Sequence, residues 1–85
     1  MISVQEHLND IAQKLDKLIL RAVHSGMAVC MVELRIFKNT RLNQSSYTSH
    51  ALRQVYNDLG ALLANLNAGM FSNEIDWCSE RAKTI

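Results

Sequence analysis

Three histidines and two cysteines are the residues of this chain best suited to hold a metal or activate a nucleophile, and their spacing argues against both. His7, His24 and His50 lie far apart, and none shares a helical turn with a cysteine, aspartate or glutamate in a ligand-like arrangement. Structural zinc sites need ligands paired a few residues apart, and no such pair exists. Cys30 and Cys78 each stand alone inside an apolar stripe. So placed, they read as small buried hydrophobes in a reducing compartment rather than as a disulfide framework. No glycine-rich phosphate loop, nucleophile elbow or kinase-like signature occurs, and the carboxylates are compatible with ordinary surface charge. The expectation is a protein that is not an enzyme and takes no metal and no cofactor.

The remaining chemistry is that of recognition. Net charge is only +1, but residues 1–33 sum to −1, residues 34–57 to +4 and residues 58–85 to −2. Arg35, Lys38, Arg41 and Arg53 form the basic centre, with Phe37 and Tyr47 interleaved. Such a segment suits an acidic protein surface or nucleic-acid phosphates, although four cations fall short of a nucleic-acid footprint. Trp77 sits off the apolar stripe of its own segment, flanked by Glu74 and Arg81, and aromatic residues so placed are enriched at interfaces. Gly60 aligns with Ala64 and Ala68 at four-residue steps, a small-residue strip that lets another helix approach closely. The candidate partner-binding residues are therefore Arg35, Phe37, Lys38, Arg41, Tyr47, Arg53, Gly60, Ala64 and Trp77. The dipeptide Leu59-Gly60 does not make a DNA-binding helix-turn-helix, because Tyr56 stands where that motif wants a small residue. Residues 61–68 also contain no Lys or Arg to read base edges.

These residues must be positioned by helices. The 85 residues contain no proline and only three glycines, which starves a turn-rich β-fold of its punctuation. Ser3 and Glu6 have the spacing of a capping box. Val4, Leu8, Ile11, Leu15, Leu18 and Ala22 follow on one face, widened by Ala12, Ile19 and Val23, until Ser25-Gly26 closes the helix. Leu20 lies on the polar side, so the end of this helix is apolar nearly all round. Residues 27–37 fit two periods. Met27, Cys30, Met31, Leu34 and Phe37 make a helical stripe, whereas Ala28, Cys30, Val32, Leu34 and Ile36 make a strand face. The helix is preferred, since a single strand would lack a partner within the chain.

Residues 38–48 are polar and read as a loop or frayed helix end. Ser49 to Gly69 forms the clearest helix, with Leu52, Val55, Leu59, Leu62 and Leu66 on one face, Ser49 as N-cap and Gly69 as a left-handed stop. A last helix over about 73–82 follows from Ser72 as N-cap and from Phe71, Ile75, Cys78 and Ala82 on one side. Residues 66–82 thus read as a generic helical hairpin.

Together these patterns predict one all-α domain over residues 1–85, a small bundle of three to four helices. It is built on an antiparallel pair made by the first helix and the 50–67 helix. The alternative is an α+β helix–strand–helix whose 27–37 strand pairs across a dimer. No apolar run is long enough to span a bilayer, and charges interrupt any secretory signal, so the expected location is cytoplasmic, without a membrane. A chain this short with surplus apolar helical faces is expected to bind another protein or itself, as a homodimer. The expected function is a small protein-binding module, an adaptor, chaperone or inhibitor. The alternative is a weak nucleic-acid-associated regulator using the basic 35–53 segment.

Overall fold

A computed structural model describes residues 3–43 and 47–85 of the chain and contains four helices, α1 (Val4–His24), α2 (Ala28–Arg41), α3 (Ser49–Asn67) and α4 (Ser72–Lys83). The fold is all-α. Contacts cluster into two compact units, Met1–Ser45 and Ser46–Ile85. In the first, α1 packs on α2, and in the second, α3 packs on α4. Each unit is an antiparallel helical hairpin, the outcome expected when two helices are joined by only a few residues. Within each unit the packing partner is the neighbouring helix along the chain, α2 for α1 and α4 for α3.

In the first unit, Ser3 caps α1, its side chain accepting from the Glu6 amide at 3.2 Å. The other end is closed by a Schellman motif. The Met27 amide donates to the Ala22 carbonyl and the Gly26 amide to that of Val23, with Gly26 at φ 70°. The buried row of α1 is Ile11, Leu15, Leu18 and Ala22, continued toward the N-terminus by His7. Val4 is exposed and Leu8 half-buried, so the first turn faces inward by one residue less than the expected stripe.

Segment 27–37 is helical, and the strand alternative is overturned. Cys30, Leu34 and Phe37 are buried at helical spacing. The helix also runs on through Arg41, into the segment read as a loop or frayed helix end, and near its end the Thr40 hydroxyl donates to the Ile36 carbonyl at 2.7 Å. Residues 44–46 of that segment lie outside the described residues.

In the second unit, the buried row of α3 is Leu52, Val55, Tyr56, Leu59 and Leu63, whereas Leu62 and Leu66 are half-buried. The row veers toward Tyr56 because that ring meets Trp77 of α4 edge-on, centroids 5.5 Å apart at 68°, an arrangement aromatic quadrupoles favour. Phe71, Cys78 and Ala82 supply the buried side of α4.

Three expected helix ends are corrected. The N-cap of α3 is Thr48, whose side chain accepts from the Ala51 amide at 3.0 Å, and Ser49 is the first helical residue. Phe71, not Ser72, precedes α4, without a side-chain cap. Gly69 is not left-handed. The α3–α4 turn is instead held by Asn67, whose side-chain oxygen accepts from the Met70 amide and whose carbonyl accepts from the Phe71 amide. Among the described residues, no helix is long and apolar enough to cross a membrane.

Two substitutions test this account. Gly26→Ala meets open space but must adopt a positive φ, so thermal unfolding is expected to show a loss of about 1–2 kcal/mol. Leu59 is fully buried, and Leu59→Ala should lower stability by roughly 2–5 kcal/mol in urea titrations.

Candidate functional site

The basic segment is divided between the two units, and most of its cations already have local partners. On α2, the Lys38 ammonium contacts the Asp16 carboxylate of α1 at 2.5 Å, with both side chains partly exposed. A pair in that setting contributes at most about 1 kcal/mol, and it gives Lys38 an acidic partner within its own hairpin. The Arg41 guanidinium lies over the Phe37 ring, 5.7 Å from its centroid. Phe37 itself is buried, so its ring serves the hairpin core and not the surface. Arg35 is exposed on the flank of α2. Tyr47 is half-buried just ahead of the α3 cap. Arg53 belongs to the second unit, where it donates to the main-chain oxygen of Ile85. The run of cations thus forms no single patch within either hairpin.

Trp77 is half-buried, as its flanking charges suggested. One part of its ring meets Tyr56, and the Arg81 guanidinium lies 5.3 Å from its centroid. Both contacts are internal to the second hairpin. Gly60 faces α4, where a Cβ built on it would stand 3.5 Å from the Cys78 Cβ, whereas Ala64 and Ala68 are exposed. The small-residue strip is therefore used at one step, within the chain. Cys30 and Cys78 are free and buried. Among the described residues, no group of three or more His, Cys, Asp or Glu side chains is placed to hold a metal ion.

The surface feature that sequence reasoning passed over is the outer side of α2. Val29, Val32 and Ile36 are 71%, 46% and 50% exposed. They recur at steps of three and four, so they form one ridge along the helix. The α1 residues that lead into the same hairpin turn add Leu20 and Val23, 57% and 48% exposed. The signal was present in the two competing periods of residues 27–37. Once Cys30, Leu34 and Phe37 take the buried side, the β-branched residues that suggested a strand are left facing water.

A second feature is a shallow, open groove of about 350 Å³ in the α3–α4 hairpin, lined by Arg53, Asn57, Ser79, Ala82 and Lys83. Of these, only Arg53 had been singled out. Asn57, Ser79 and Lys83 are ordinary polar residues, and Ala82 part of an apolar stripe, until the hairpin sets them side by side.

The glycine on α3 allows a test of how tightly the helices meet. A Cβ at Gly60 would make an ordinary van der Waals contact, so Gly60→Ala should raise stability by up to about 1 kcal/mol through helix propensity. Gly60→Leu must push α4 away and should lower it by roughly 1–3 kcal/mol. Urea denaturation of both variants reads the sign.

Comparison of the chain with protein-family models, with curated proteins and with solved structures found no match.

Proposed function

We propose that the chain is a small, non-enzymatic protein-binding module, an adaptor, chaperone or inhibitor of the reducing cytoplasm, which engages its partner through the outer ridge of α2. The observation that carries this reading is the exposure of Val29, Val32 and Ile36 on one helical face. Valine and isoleucine are weaker helix formers than the charged residues that usually occupy a solvated face, so they bring α2 no local advantage there. Their benefit comes on burial, up to about 1.5–3 kcal/mol for each side chain taken fully out of water. Apolar anchors at such spacing are the pattern by which a helix lies in a groove of another protein. Arg35 and Glu33, exposed on the same helix, supply a polar rim. The partner is another protein or a second copy of the chain. The nucleic-acid alternative draws no support from the cations it would need, because Lys38, Arg41 and Arg53 have partners within their own hairpins.

The test is a triple variant, Val29→Ser, Val32→Ser and Ile36→Ser, compared with the wild type by light scattering and by partner capture. These exposed changes should leave the helical circular dichroism intact and weaken self-association or capture at least tenfold, equivalent to about 1.4 kcal/mol. A triple variant that associates like the wild type overturns the assignment of this ridge.

A further inference from the structure

We infer that the occupant of the α2 ridge is a second copy of the chain, its α2 lying parallel to the first across a two-fold axis that runs along the helices. This rests on the reading of the ridge as a docking face and goes beyond it by naming the partner and the orientation. The ridge has the spacing that such a pair needs. Val29, Val32, Ile36 and Asn39 are all exposed and recur at steps of three, four and three, the seam of a two-stranded helical pair. Cys30, Leu34 and Phe37 take the other side of α2, so packing within the chain leaves the seam open.

The charges beside the seam select the partner. Glu33 and Arg35 are exposed and two positions apart, so they stand on opposite flanks of the ridge, separated by only about 3 Å of helix rise. Residues two apart do not face one another, and neither side chain has an opposite charge three or four positions away along α2. Among the described residues neither makes an ion pair, unlike Lys38, which pairs with Asp16. An acid on one flank and a base on the other make the face complementary to itself in a parallel pair. The two-fold axis brings Glu33 of each copy to the flank that carries Arg35 of the other, an attraction made twice. An antiparallel pair would set Glu33 toward Glu33 and Arg35 toward Arg35. Asn39 agrees with the parallel arrangement. There its amide meets the same amide of the other copy, and each can donate and accept, whereas an antiparallel pair would lay it against Val29. A fourteen-residue helix is about 21 Å long, and the face it offers belongs to the small class of interfaces that form reversibly. The dimer therefore dissociates on dilution.

The experiment is sedimentation velocity on the full chain up to about 1 mM, where even a millimolar Kd is visible. The wild type should pass from monomer to dimer as its concentration rises. Glu33→Arg puts bases on both flanks and Arg35→Glu puts acids on both, so each variant alone should dimerise about fivefold or more weakly. Mixed in equal amounts, the two should form a heterodimer about as tight as the wild type, which also shows that both are folded. Asn39→Cys should give a disulfide-linked dimer on air oxidation, because Cys30 and Cys78 are buried and the parallel pair brings the two introduced thiols together. In an antiparallel pair those thiols would stand about 15 Å apart along the axis, too far to bridge. A wild type that stays monomeric at about 1 mM overturns the proposal. So do single reversals that dimerise like the wild type, a mixture no tighter than either variant, or failure of Asn39→Cys to cross-link. The triple serine variant keeps the two readings apart. A monomeric wild type that captures another protein, with capture lost in the triple variant, overturns only the second copy. A triple variant that still dimerises overturns the ridge as well.

Discussion

The length of the connections decides how this chain buries its apolar surface. Three residues, Ser25 to Met27, separate α1 from α2. Gly26 turns the chain in a left-handed conformation while its neighbours satisfy the carbonyls at the end of α1. With so short a link, α2 cannot reach a distant surface and must lay its stripe on the helix it has just left. The α3–α4 turn imposes the same constraint by other means, since Asn67 replaces the left-handed glycine as the residue that gathers the free amides. Each apolar stripe would be costly alone in water, and each finds its cover in the next helix along the chain.

That arrangement uses the available side chains unevenly. In the second hairpin, a bare glycine admits the opposing helix near Cys78, and an edge-to-face aromatic pair of Tyr56 and Trp77 fills the space beyond. In the first, α2 buries only Cys30, Leu34 and Phe37, and keeps three β-branched residues outside. A fourteen-residue helix with apolar residues on both sides is an expensive surface for an isolated hairpin, and this asymmetry motivates the reading of α2 as a recognition element.

The charges carry a different lesson. A run of cations without acids looks like one patch when written along the chain. Once α1 lies beside α2, Asp16 comes within reach of Lys38 from twenty-two residues away. Arg41 settles on an aromatic ring one turn back, and Arg53 falls in the other hairpin. Linear charge density predicted a surface that side-chain pairing dispersed. The Arg53–Lys83 juxtaposition is the converse, two cations thirty residues apart in sequence that line one groove.

The sequence by itself pointed to the all-α class, to three or four helical segments and to most of the buried residues. Periodicity of apolar side chains is a local property, and caps such as Ser3 and the turn at Gly26 act within one or two helical turns. It also contained the two faces of residues 27–37 and favoured the helix only through the lack of a second strand, because a helix and a strand both place Cys30 and Leu34 on a common side. Only the tertiary structure decided that α1 and α2 cover one another, and α3 and α4 likewise, a match that hydrophobicity alone does not choose. It likewise decided that Tyr56 belongs to the core, that Lys38 pairs with Asp16, and that Val29, Val32 and Ile36 are left exposed. Each of these depends on a neighbour contributed by another helix, and so on distances that no local pattern encodes.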